Sequence, residues 1–276
     1  MEGRLPDFMI IGAMKSGTTS LHDYLGKHPD IFTTEVKEIH YFADSNYKKY
    51  NLEWYKNHFV SEKKLVGTSP QSYTKRHNEL YKNIPERLHK TLPNIKLIYI
   101  LRDPLDRYKS HLLENYYGLL KKQIDFSNDM RNPEYTSCYH YQLNEYLKYF
   151  DLSQIHILTL EDLKSKRLET LNSVFDFLNV RHLEDDTIFD FISNSKDDKT
   201  LPISIARKLP LRILNKLSPI FYQKIIRSSY FQNRFKKNVN RILPSEQETN
   251  RLKTVFRQDV VKLKELTGNS FDHWNL

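Results

Sequence analysis

The chain has 276 residues, of which 39% are hydrophobic and 28% charged, the balance of a soluble globular protein rather than a disordered or fibrous one. No apolar run approaches the roughly 20 residues of a membrane-spanning helix. The N-terminus lacks the apolar stretch of a secretory signal, and a lone cysteine, Cys138, excludes a disulfide framework. These features predict a cytoplasmic protein. The formal net charge of +9 points to an anionic partner, but the excess is local. Residues 199–241 hold eleven Lys or Arg and no Asp or Glu, which leaves the remainder at a net −2.

In chain order, four short apolar, β-rich runs predict buried strands at residues 7–12, 64–67, 96–101 and 154–160, each followed by a segment with helical spacing. Helix signals agree. Asp103-Pro104 sets an N-cap aspartate before a first-turn proline, and Glu161-Asp162 opens a further helix. Val174, Phe175, Phe177 and Leu178 share an apolar face, and a last helix over about 245–267 ends at Gly268. The pattern predicts one α/β domain over residues 1–276. Its central, mostly parallel sheet is flanked by helices in three layers, with a basic helical insertion at about 199–241.

The first strand runs into Gly12-Ala-Met-Lys15-Ser16-Gly17-Thr18-Thr19-Ser20. A strand, a tight glycine turn and a helix N-terminus form a cradle for phosphate, through backbone N–H groups and the helix dipole. The nucleoside-triphosphate version places its lysine directly after the second glycine. Here Thr18 stands there, and the lysine has moved inside the loop to Lys15. The strand at 96–101 ends in Arg102-Asp103, and Ser110 lies two turns into the next helix, so a guanidinium and a hydroxyl can share a second phosphate. The first loop is suited to an anion without the metal of a nucleoside triphosphate.

Lys15-Ser-Gly-Thr-Thr and Arg102-Asp-Pro-Leu-Asp-Arg-Tyr-Lys-Ser110 together resemble the two signature loops of sulfotransferases that use 3′-phosphoadenosine 5′-phosphosulfate (PAPS). The similarity extends through residues 139–163 and the C-terminal helix with Trp274. It implies that Lys15, Ser16, Gly17, Thr18, Thr19 and Ser20 hold the 5′-phosphosulfate and that Arg102 and Ser110 hold the 3′-phosphate. PAPS is then the donor and adenosine 3′,5′-bisphosphate (PAP) the product, with no metal required. Lys37-Glu38-Ile39-His40-Tyr-Phe42 resembles the Lys-Glu-Pro-His-Phe-Phe stretch of the glycan-modifying, heparan-sulfate-type branch. That match implies Glu38 as catalytic base, with Lys15 as the cation on the leaving phosphate and Lys37 beside the sulfonate. His40 is the rival base, and Ile39 replaces the usual proline. Val66-Gly-Thr68-Ser-Pro70-Gln-Ser-Tyr73 resembles the loop lining the family's cleft, so Tyr73 joins Lys37 and His40 as a substrate contact. Thr68 stands where an acidic residue is common.

The resemblance implies sulfuryl transfer to a hydroxyl or amine of a small molecule, glycan or glycolipid. A P-loop kinase and a non-catalytic protein that binds membrane surfaces or polyanions are the alternatives. The basic segment has three readings: a lid over the donor and an anionic acceptor, a peripheral contact with an anionic membrane, or a solvated insertion. No recognition motif supports nucleic acid as a partner.

Overall fold

The computed structural model describes residues 2–119, 131–184, 218 and 243–276. Its frame is a five-stranded, wholly parallel sheet of β1 (Phe8–Gly12), β2 (Ile31–Thr33), β3 (Leu65–Thr68), β4 (Lys96–Leu101) and β5 (Ile155–Thr159), in the order β2-β3-β1-β4-β5. The four expected strands are all present. The edge strand β2 was not foreseen.

The central strands read as continuous apolar runs because both faces of the sheet are covered. In β1 and β4, Met9, Ile11, Leu97, Tyr99 and Leu101 join one core, while Phe8, Ile10, Ile98 and Ile100 join the other. The first core is closed by α4 (Ile84–Thr91), α7 (Tyr139–Tyr146) and α10 (Glu246–Thr267), through Leu88, Leu143 and Leu263. The second is closed by α1 (Thr18–Lys27) and α9 (Arg167–Leu178), through Leu21, Leu25, Val174 and Phe175. Three layers result. Burying each such aliphatic side chain contributes on the order of 2 kcal/mol.

The remaining helices are α2 (Asp44–Tyr47), α3 (Leu52–Lys56), α5 (Pro104–Leu119), α6 (Asn132–Ser137) and α8 (Leu160–Ser165). Their caps follow the sequence. Asp103 Oδ1 accepts from the Asp106 N–H at 2.9 Å at the head of α5, Ser245 caps α10, and Gly268 ends α10 in the left-handed conformation at φ 73°. The C-terminal tail returns to the sheet edge, where Asp103 Oδ2 accepts from the Asn275 N–H at 2.8 Å.

Among the described residues, no helix is long and apolar enough to cross a membrane. The basic helical insertion expected at 199–241 lies outside the described residues, Ser218 apart.

Candidate active site

Because β1 and β4 are neighbours, the turn after Gly12 and the turn at Arg102 lie side by side at the carboxyl edge of the sheet, where open α/β sheets bind ligands. The first turn is built for an anion. Lys15 and Gly17 both adopt left-handed backbone, at φ 72° and 91°. Such alternation curls successive N–H groups around a concavity. A side chain at Gly17 would be strained at that φ, and its Cβ would lie 2.6 Å from Leu160 Cδ1. Gly17 also serves as N-cap of α1, where no side chain caps the helix and no acidic residue occupies the first turn. The N–H groups at the head of α1 and its dipole therefore face the turn without a protein carboxylate.

Cations surround this turn. Arg102 is largely buried. Its Nη1 donates to the Lys15 carbonyl at 3.4 Å and its Nη2 lies 3.7 Å from Asp106 Oδ2. Its backbone is clamped by Tyr139, whose hydroxyl donates to the Arg102 carbonyl at 2.6 Å and accepts from the Arg102 N–H at 3.3 Å. The Lys15 ammonium reaches across to α5, 3.0 Å from Glu114 Oε2. Arg107, Ser110 and Glu114 are spaced three and four residues apart, so Ser110 shares the α5 face that carries the Glu114 contact.

Beneath the loop lies Arg107, a fully buried guanidinium that sequence reasoning quoted but did not assign. Its Nη1 donates to the Met14 carbonyl at 3.1 Å and to His111 Nδ1 at 3.2 Å, and its Nε donates to Ser137 Oγ at 2.7 Å. Nη2 donates to the Pro133 carbonyl. Burial pulls its pKa down to about 10, so it remains charged at neutral pH. Burial, then the Arg107 charge, holds His111 well below the ordinary histidine pKa, which fits its role as acceptor of the guanidinium proton.

The second half of the site is the irregular segment after β2. The Ser69 N–H and the Thr68 hydroxyl both donate to the Lys37 carbonyl, at 3.0 and 3.1 Å, and tie this segment to the end of β3. Thr68, which stands where an acidic residue is common in the branch it resembles, is thus a buried strut. Ile39 points into the core, 2% exposed. Glu38 comes between three donors. Gln71 Nε2 donates to its Oε1 at 2.5 Å, Lys37 Nζ lies 3.2 Å from the same oxygen, and His40 Nε2 lies 3.3 Å from Oε2. Burial raises the Glu38 pKa, but the His40 hydrogen bond and the Lys37 charge outweigh it, and the net shift is downward. The carboxylate thus stays ionised although it is half-buried.

The two halves meet through Gln71, whose Oε1 accepts from Thr18 Oγ1 at 3.2 Å. Of the residues named from sequence, Lys15, Ser16, Gly17, Thr18, Thr19, Ser20, Arg102 and Ser110 gather at the first half, and Lys37, Glu38 and His40 at the second. Tyr73 corrects the expectation of a substrate contact. It is 1% exposed, its hydroxyl accepts from the Phe42 N–H at 3.0 Å and donates to the Ile39 carbonyl at 3.2 Å, and its ring packs in the core. It holds the Glu38 segment from behind. Gln71 and Glu114 were missed because their partners lie 33 and 99 residues away in sequence.

Comparison with known proteins identifies the family. The family model described as a sulfotransferase domain matches residues 5–241. Heparan sulfate glucosamine 3-O-sulfotransferase 5 of Mus musculus is 34% identical over 195 residues, 64% of this chain and 54% of that protein. The membrane-associated sulfotransferase kil1 of Dictyostelium discoideum is 28% identical over 283 residues, covering 67% of this chain and 59% of that protein. The chain thus spans little more than half the length of these relatives. A sulfotransferase structure from Alicyclobacillus acidocaldarius shares the fold, with a TM-score of 0.52 and 22% identity over 76% of this chain and 96% of that one.

Proposed function

Since the chain belongs to the sulfotransferase domain family, we propose that it transfers a sulfuryl group from PAPS to a hydroxyl or amine of a glycan, with Glu38 as base. The observation that carries this reading is the pairing of two cation-lined anion sites with one ionised, half-buried carboxylate. The loop of Lys15 and Gly17 and the head of α1 suit a phosphosulfate, and Arg102 with Ser110 suits a second phosphate one strand away. The glycan acceptor rests on the heparan sulfate relatives. The donor supplies the sulfuryl group.

The chemistry asked of this chain's residues is modest. Glu38 takes the acceptor proton as the acceptor's electron pair forms the new bond to sulfur. The sulfur–oxygen bond to the bridging phosphate oxygen breaks, and its electron pair leaves with the phosphate. Lys15 and the α1 N–H groups stabilise the charge that builds there. Orientation between the two halves supplies much of the rest. By its charge alone, the basic stretch 199–241 suits an anionic acceptor or membrane.

Two ligands separate this reading from a kinase. PAP without metal is expected to raise the melting temperature, because a ligand that binds only the folded state stabilises it. ATP with magnesium is expected to leave it unchanged, and the reverse pattern would overturn the proposal. Sulfur-labelled PAPS with desulfated heparan sulfate then tests the acceptor class. Label that reaches simple phenols but not the polysaccharide would refute the glycan assignment.

A further inference from the structure

The Gln71 side chain hydrogen-bonds to both halves of the site, to Thr18 and to Glu38. Its amide can be oriented without ambiguity. A carboxylate only accepts, so the amide nitrogen must face Glu38, and this leaves Oε1 for the Thr18 hydroxyl. Thr18 is the first residue of α1, 2% exposed and fixed directly after the left-handed Gly17. Glu38, by contrast, sits in a segment without helix or strand. Gln71 therefore transmits the position of a rigid helix terminus to a carboxylate on a loop.

The contact also distinguishes the two oxygens of Glu38. Oε1 faces two donors, Gln71 Nε2 at 2.5 Å and Lys37 Nζ at 3.2 Å. Oε2 faces only His40 Nε2, at 3.3 Å. A proton adds most readily to the oxygen whose lone pairs are less engaged. We propose that Gln71 is a positioning residue that anchors Glu38 Oε1 to the donor loop through Thr18, so that Oε2 is the atom that receives the acceptor proton. In that step the acceptor O–H or N–H bond breaks, its electron pair goes to sulfur, and the proton ends on Oε2 beside His40. The proposal rests on Glu38 being the base.

Its consequence is a coupling between base strength and an amide that touches no substrate. An N–H donated to a carboxylate favours the ionised form, so losing it raises the carboxyl pKa. Gln71→Ala is expected to move the Glu38 titration up by about half a pH unit or more, followed by carboxyl-carbon NMR and assigned by the signal lost in Glu38→Gln. The acid limb of kcat/KM with desulfated heparan sulfate should move with it, while kcat falls about tenfold. PAP affinity, read from the melting-temperature shift, should stay within about twofold, because Gln71 meets only the Thr18 hydroxyl and the backbone N–H groups of the cradle stay in place without it. Gln71→Glu places a second carboxylate against the first, so its activity should recover as the pH is lowered.

A Gln71→Ala protein that binds PAP normally but keeps its Glu38 titration and acid limb unchanged would overturn the proposal. So would a parallel loss of PAP binding and kcat, the mark of a purely structural role. If Glu38→Gln itself retains turnover, the assignment of Glu38 as base fails first, and the two failures are thus told apart.

Discussion

The donor half and the base half of this site lie one hydrogen-bonded amide apart, yet they are built by different means. The donor half uses the ends of regular elements. A left-handed turn leaves β1, an uncapped helix begins at Thr18, and Arg107 braces the loop from below through backbone carbonyls. The base half is a loop without secondary structure, held mainly by side chains: the Thr68 hydroxyl, beside the Ser69 N–H, on the Lys37 carbonyl, Tyr73 on the Ile39 and Phe42 backbone, Gln71 on Glu38. An anion receptor for a constant donor suits a rigid frame, since every donor N–H must be fixed before the ligand arrives. On the proposed function, a base on a loop can be fitted to its acceptor residue by residue. Substitutions in the base half should therefore change turnover, and those in the donor half, the leaving-group cation Lys15 apart, should change affinity or stability.

The largest effect is expected at Glu38. Glu38→Gln keeps the volume and the Gln71 contact but removes the basic lone pair, so kcat should fall by about 10²- to 10⁴-fold while PAP still raises the melting temperature as in the parent protein. Turnover close to that of the parent would transfer the base role to His40. Arg102→Ala should invert the pattern. Removing a charge-assisted partner of a phosphate costs about 1.5–3 kcal/mol, so PAP affinity should drop about ten- to hundredfold by calorimetry. An unchanged affinity would dissolve the second phosphate site. Should either variant alter both parameters equally, the division between the halves fails.

A smaller effect concerns acid stability of the donor half. Burial and the Arg107 charge lower the His111 pKa in the folded protein, so below the ordinary histidine pKa of about 6.5 the unfolded chain binds a proton that the folded chain refuses. Its contribution is complete above that pH and is lost as pH falls through it. The melting temperature should decline below about pH 6.5, and less steeply in His111→Gln, whose amide oxygen can still accept from Arg107. Equal slopes in the two proteins would remove His111 from the cause and leave His22, His28 and His156, whose pKa values burial also lowers.

What was legible in the sequence follows the same division. The donor half could be read because its signals are local: an apolar run, two glycines around Lys15, an N-cap Asp103 before Pro104. Strands buried on both faces and helices with their caps were legible for the same reason. The three-residue strand β2 was not, since Ile31–Thr33 has one fully buried residue and no span over which a period could register. In the base half, Glu38 was reached only through its resemblance to a known motif, because the contacts that give it meaning cross from β3 and α1. Tyr73 misled for a related reason. An aromatic next to a site motif reads as a cleft wall, and only the packed structure reveals that its hydroxyl is spent on backbone. The outlying contacts, Gln71 to Glu38 and Lys15 to Glu114, have no sequence signature at all.

The Lys15–Glu114 contact offers the finest test of the comparison, because it ties the loop's ammonium to a side chain on α5. Lys15 Nζ and Glu114 Oε2 are 3.0 Å apart, with side-chain exposures of 21% and 42%. A pair this exposed contributes only about 0.2–1 kcal/mol. A phosphosulfate in the loop would compete with Glu114 for the same ammonium. Glu114→Gln keeps the side-chain length and removes the competing charge, so PAP should bind about two- to fivefold more tightly, and the gain should shrink as salt screens the pair. The acid limb of kcat/KM, which the proposed mechanism assigns to Glu38, should not move. Weaker binding instead would mean that Glu114 orients Lys15 rather than competing for it. The donor half would then depend on a side-chain contact of the same kind that positions Glu38, and the contrast between a rigid receptor and an adjustable base would no longer hold.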